Sequence, residues 1–112
     1  QESDIIIFCI DSNSQTQSYF DLEFLEECKN NVILVNVARG DLIDEKNICE
    51  DLKQSPNKRY YTDVTIPEDY PQDGALRSFS QVLITNHIGA KYNEAWYDLE
   101  NFLIKNLKEI CK

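Results

Sequence analysis

His87 is the only histidine of the 112-residue chain, and it follows a short apolar run, Val82-Leu-Ile-Thr85. Asp11, Arg39 and Asp63 likewise stand at the ends of apolar runs, and Glu68 comes shortly after Asp63. Histidine changes charge near neutral pH, so it can carry a proton. A carboxylate beside it orients the ring and favours its charged form. Arginine presents a planar fork that holds both oxygens of a carboxylate at once. A His, a Glu and an Arg gathered at one place would suit proton transfer at a hydroxyl or carbonyl next to a carboxylate. Such transfer usually accompanies hydride transfer, which calls for a nicotinamide cofactor. Taken singly, each residue reads as ordinary surface: Asp11 a turn residue, Arg39 a surface charge, Asp63 a strand-end cap, His87 a loop residue.

What raises a site is the set of elements that would carry them. Ile5 to Ile10 is a continuous apolar, β-branched run, which predicts a strand buried on both faces of a parallel sheet. Asp11 to Gln17 is a polar loop. Asp21 can cap a short helix with Phe24, Leu25 and Cys28 on its inner face, ended by Asn30-Asn31. Val32 to Val37 is a second strand. Asp44 caps a helix over Glu45 to Gln54 with Ile48, Cys49 and Leu52 inward, and Ser55-Pro56-Asn57 stops it. Arg59 to Val64 and Val82 to Thr85 are further strands, separated by the long loop Thr65 to Phe79, of a length that usually serves function. From Tyr92 the chain reads as helix, with a stripe of Trp96, Leu99, Leu103, Leu107 and Ile110. Strands alternating with helices predict an α/β fold: a parallel sheet of about four strands with right-handed crossovers and flanking helices. Ligands of such sheets bind beyond the carboxyl ends of the strands, where Asp11, Arg39, Asp63 and His87 all fall.

Composition narrows the partners. The net charge is −9, 11 basic against 20 acidic residues, which excludes the basic footprint of a nucleic-acid binder and attraction to an anionic membrane. No apolar run approaches a membrane span of about 18 residues. Cys9, Cys28, Cys49 and Cys111 are too far apart for a zinc site, and no metal is expected. Three of them fall inside apolar patterns, which predicts buried, reduced thiols in a cytoplasmic protein. The chain opens without an initiator methionine and contains none, so it reads as a piece of a longer protein.

Four blocks, in order, resemble the NAD-dependent D-2-hydroxyacid dehydrogenases, the family of D-3-phosphoglycerate dehydrogenase. Val35-Asn-Val-Ala-Arg-Gly-Asp-Leu-Ile-Asp-Glu45 is similar to that family's I-N-x-A-R-G-x-x-[IV]-D-E, and Asp63-Val64 with Glu68 to its D-V-F-x-x-E. Thr85-Asn-His-Ile-Gly-Ala90 is similar to T-P-H-I-G, and Asp4 to Thr16 to D-V-V-x-x-H-x-P-L-T-x-x-T. Cys9 stands where the family often has His, Asp11 where it has Pro, and Asn86 replaces the Pro before the histidine.

The resemblance implies the second half of a Rossmann-type domain and a set of roles. Arg39, Glu68 and His87 would be the catalytic trio: Arg39 on the substrate carboxylate, His87 as acid and base, Glu68 holding His87 in its charged form. Asp63 would hold the nicotinamide carboxamide. Ile10, Val37, Ala38 and Gly89 would line NAD beside Arg39 and His87. The chain has only Gly40, Gly74 and Gly89, so the G-x-G-x-x-G phosphate cradle is not in it. It is therefore expected to be the catalytic half of the NAD-binding domain over residues 1–112, without the glycine-loop half or the substrate domain. The substrate would be a small 2-hydroxyacid, with no nucleic acid or membrane partner. An unpaired edge strand and the Trp96 stripe predict a homo-oligomer. An alternative with the same fold and motifs is an NAD-sensing binding module of the C-terminal-binding-protein corepressor type, and a third is an inactive paralogue.

Overall fold

The computed structural model describes residues 2–110. The apolar runs form four short strands, β1 (Ile5–Phe8), β2 (Ile33–Asn36), β3 (Arg59–Thr62) and β4 (Val82–Ile84). They lie side by side in chain order, all parallel, with Ile6, Leu34, Tyr60 and Val82 in one row. The helices are α1 (Leu22–Glu26), α2 (Glu45–Gln54) and α3 (Asn93–Ile110), with single 3₁₀ turns at Gly40–Leu42 and Ala75–Ser78. The expected α/β class, parallel sheet and flanking helices are therefore present.

The caps read from the sequence form as bonds. The Asp21 carboxylate accepts from the Phe24 N–H at 2.9 Å, and that of Asp44 from the N–H groups of Lys46 and Asn47. Each satisfies donors that a helix start would otherwise leave unpaired.

A sheet that grows in one direction by right-handed crossovers carries its connections on one face. Side chains alternate along a strand, so only every second residue meets that face. Phe8, Leu34 and Tyr60 do so, and they pack with Phe20, Leu25, Ile48, Leu52 and Leu76 into the core. Phe8 and Phe20 stack with ring centres 3.8 Å apart. The opposite face is open. Ile5 and Ile7 are each 57% exposed, and Leu83 is exposed with them. The expectation that Ile5 to Ile10 is buried on both faces is thus corrected: among the described residues β1 is an edge strand whose odd-numbered side chains are left uncovered. The strand also ends at Phe8, which leaves Cys9 exposed, while Cys28 and Cys49 are buried as expected.

The helix expected from Tyr92 onward is present as α3, and its apolar stripe is left uncovered among the described residues. Trp96, Leu99, Leu103 and Leu107 are all exposed. The helix accounts for a long molecular axis of 59 Å against 29 and 26 Å. The Ile110 side chain and Cys111 lie outside the described residues. Among the described residues no helix is long and apolar enough to cross a membrane.

One buried feature went unread in the sequence. Lys58, just before β3, is 1% exposed, and its Nζ donates to Asp51 Oδ1 on α2 at 2.7 Å and to the Leu25 carbonyl on α1 at 2.8 Å. A single ammonium thus ties both helices to the sheet.

Candidate active site

The last core-facing row of the sheet is polar at its centre, between Phe8 on β1 and Ile84 on β4. Asn36 and Thr62 sit opposite each other in it, and both are buried. A buried polar side chain must find partners, and both find them in the loops just beyond their strands. The Asn36 amide donates to the Arg39 carbonyl at 2.9 Å, and its oxygen accepts from the Ala38 N–H at 3.1 Å. The Thr62 hydroxyl donates to the Val64 carbonyl and accepts from the Val64 N–H at 3.2 Å. The backbone ladder also runs past the strands: the Asp63 N–H donates to the Asn36 carbonyl at 3.0 Å, and the His87 N–H to the Asp63 carbonyl at 2.9 Å. The rim is therefore a set of loop starts pinned to the sheet.

The β2 and β3 loops touch directly. A Cβ on Gly40 would sit 2.5 Å from the Thr65 carbonyl carbon, so only glycine allows that approach. Beyond Thr65 the long loop folds on itself. The buried Tyr70 hydroxyl accepts from the Leu76 N–H at 2.9 Å, and Arg77 donates to the Pro71 and Tyr70 carbonyls. Burial pushes the Tyr70 phenol up to about 12, with nearby Glu45 adding to that rise.

This ordered loop presents Glu68 to the end of β4, where its Oε1 lies 3.0 Å from His87 Nδ1. The pair is open to solvent, 42% exposed on the histidine and 73% on the glutamate. His87 sits in the left-handed region, φ 49°.

Asp63 is bound into the same loop. Its Oδ1 accepts from the Thr85 hydroxyl and, at 2.9 Å, from the Ile88 N–H, and its Oδ2 accepts from the Gly89 N–H at 2.8 Å. Partial burial alone would raise its carboxyl, but these three donors and the neighbouring His87 hold it below the ordinary carboxylate value.

Arg39 is at the rim but stands apart from the pair. Its guanidinium donates to the Ala38 carbonyl at 2.7 Å. It lines an open cleft of about 560 Å³ between the ends of β1 and β2, with Cys9 to Asn13, Val37 and Ala38. Ile10, 38% exposed, and Val37, 53% exposed, form an apolar ledge there. Of the residues expected at the site, the structure thus joins His87, Glu68, Asp63 and Gly89 in one cluster. It joins Ile10, Val37, Ala38 and Arg39, with Asp11, in a neighbouring one. A more enclosed cavity of about 250 Å³ lies on the flank, among Gly40, Asp44, Tyr60, Thr65 and Tyr70, and none of the trio lines it.

The donor and acceptor set fits a nicotinamide nucleotide in part. The cleft offers an apolar ledge for a flat ring. A carboxylate has about four acceptor positions, and three of those on Asp63 are taken, so Oδ2 can accept one more donor such as a carboxamide. The Gly89 N–H is already spent on Asp63. Nothing in the cleft resembles a phosphate cradle. Asn36 and Thr85 were not singled out in the sequence. The signal was present in Asn36, a polar residue closing an apolar strand.

Residues 1–89 match the description "D-isomer specific 2-hydroxyacid dehydrogenase, NAD binding domain". Over 106 residues, 95% of the chain, it is 29% identical to a glyoxylate/hydroxypyruvate reductase B of Pectobacterium atrosepticum, and covers 33% of that protein. It is 30% identical over its whole length to a D-3-phosphoglycerate dehydrogenase of Methanocaldococcus jannaschii, covering 21% of it. The chain thus spans a third or less of the length of these relatives. The crystal structure of a D-isomer specific 2-hydroxyacid dehydrogenase from Lactobacillus delbrueckii ssp. bulgaricus, in its NAD-complexed form, superposes with a TM-score of 0.88 at 20% identity. That match covers 98% of this chain and 37% of that one, and is a likeness of fold.

Proposed function

We propose, from the premise that this chain belongs to the D-isomer specific 2-hydroxyacid dehydrogenases and lies in their NAD binding domain, that it is the catalytic half of that domain. The whole enzyme would move a hydride between NAD(H) and a D-2-hydroxyacid or its 2-oxoacid. The observation that carries this reading is the His87–Glu68 pair at the carboxyl end of a parallel sheet, two strands from Arg39. Residues 1–112 would supply Arg39, Glu68 and His87, and the remaining length seen in the relatives would supply the phosphate cradle and the substrate domain. The substrate would be a small 2-hydroxyacid. The enzyme would work as a homo-oligomer in the cytoplasm, without nucleic acid or membrane.

Ile10, Val37, Ala38 and Gly89 would border the nicotinamide, with Asp63 Oδ2 accepting from its carboxamide. The cofactor, when bound, supplies or accepts the hydride at the carbon that bears the oxygen. This chain's residues do the rest. Glu68 occupies His87 Nδ1, which leaves Nε2 to hand a proton to the carbonyl oxygen in reduction and to take it back in oxidation. Arg39 would exchange the Ala38 carbonyl for the substrate carboxylate, held by both prongs.

The test is turnover by the full-length protein of a panel of 2-oxoacids with NADH. Oxidation of NADH by at least one of them, lost in His87→Gln, is expected. NADH binding without any turnover would overturn the enzyme reading in favour of a binding module.

A further inference from the structure

We propose that Asp63 is a positioning residue for His87: its side chain and backbone together clamp the loop that presents the imidazole. This rests on the reading of His87 as the proton carrier, and it assigns Asp63 a task distinct from contact with a cofactor. Four hydrogen bonds run from the Thr85 to Gly89 segment to this one residue. The Asp63 carbonyl takes the His87 N–H, and its carboxylate takes the Thr85 hydroxyl and the N–H groups of Ile88 and Gly89. They bracket the histidine on both sides.

The bracket is needed because of what lies between. His87 adopts φ 49°, a conformation that side chains other than glycine avoid and keep only where their surroundings over-determine it. Left to itself the loop would relax, and the ring would leave Glu68. Glu68 cannot hold it there, being an exposed side chain on a separate loop. The carboxylate can, since hydrogen bonds to an ionised acceptor are among the strong ones. Gly89 belongs to the same device. A Cβ there would come 3.0 Å from Asp63 Oδ2, so the segment closes on the carboxylate most tightly with glycine. Lys91 adds a weaker tie, donating to the Asn86 carbonyl at 3.3 Å.

The test is independent of turnover. In ¹⁵N-labelled protein the ring signals of His87 are identified by their loss in His87→Gln, and the amides of Ile88 and Gly89 report the clamp by hydrogen exchange. Asp63→Asn is nearly the same shape but presents a donor to one of the two N–H groups. It should speed exchange at Ile88 or Gly89 by about tenfold or more, the equivalent of one such bond, and should broaden or remove the Nδ1–H signal of the Glu68-bonded ring. The Leu34 amide in β2 should keep its protection. Thr85→Val leaves the carboxylate and removes one donor, so it should loosen Ile88 but leave Gly89 protected, and Thr85→Ser should restore the native pattern. The proposal is overturned if folded Asp63→Asn keeps native exchange at both amides and a native ring signal. Should Asp63→Asn not fold, native exchange at Ile88 in Thr85→Val overturns it equally. A protein that shows the clamp but turns over no 2-oxoacid leaves this inference standing and removes the enzyme reading instead.

Discussion

Glu68 Oε1 and His87 Nδ1 lie 3.0 Å apart although they are nineteen positions apart in the chain, one on the loop after β3 and the other on the loop after β4. A carboxylate at that distance fixes the orientation of the ring through Nδ1. Glu68→Ala removes that partner and should lower kcat for a 2-oxoacid in the full-length protein, while Glu68→Gln, whose carboxamide oxygen can still accept from Nδ1, should keep more of it. Steady-state kinetics of the two variants check this, and a native kcat in Glu68→Ala would refute the pairing.

Arg39→Lys should raise KM for a 2-oxoacid and lower kcat/KM steeply, with KM for NADH little changed, because an ammonium cannot make the two-pronged contact. Asn36→Ala should do the same in milder form. It strips the Ala38–Arg39 turn of both its side-chain bonds without touching the guanidinium. Steady-state kinetics with each substrate varied in turn separates these effects.

Gly40→Ala forces a methyl against the Thr65 backbone. Overpacking of this kind costs about 1–3 kcal/mol. Thermal unfolding should show the loss, and kcat/KM should fall with it, since Gly40 adjoins Arg39 and Thr65 leads into the Glu68 loop. Native stability in the variant would mean that the two loops part freely.

Lys58→Met should lower stability by about 3–5 kcal/mol in urea unfolding, since it strands a buried carboxylate. Burial already pushes the Asp51 carboxyl up, and the bond to Lys58 pulls it back. Replacing both partners, Lys58→Met with Asp51→Leu, should recover most of the loss. A loss in the single variant below about 1 kcal/mol, the range of a surface pair, would show that the pair is hydrated.

The edge of β1, the open sheet face and the apolar side of α3 should drive self-association of the chain. Its charge of −9 opposes this, so added salt, by screening, should strengthen it. Light scattering across concentration and ionic strength is the check, and a clean monomer throughout would count against it.

The strands, the caps and the rim were legible because they are local. β-branched runs, Asp21 and Asp44 before helical patterns, and the residue after each run declare themselves within a few positions. The open face of β1 was not legible, because a run such as Ile5 to Ile10 reads the same whether or not anything covers its second side. The Lys58–Asp51 pair was hidden for a related reason. Whether a lysine stays in water or turns inward depends on how α1 and α2 pack, and no short pattern records that. At the rim, Arg39, Glu68 and His87 were picked out by type and place, and the structure pairs the last two. The work of Asn36 was missed because it consists of bonds to backbone, and that of Thr85 because its partner, the Asp63 carboxylate, is twenty-two positions away in the chain.

The in-step parallel strands also act as a gauge. Neighbouring strands lie about 4.8 Å apart. Arg39 lies on the loop after β2 and His87 on the loop after β4, so the strands that carry them are two such steps apart, with β3 and Asp63 between. The histidine arm is tethered to Asp63 and Glu68, while the guanidinium is bonded to the neighbouring Ala38 carbonyl. Under the proposed reading, an acid bridging the two would be fitted by the extension of one arm rather than by the shape of a pocket.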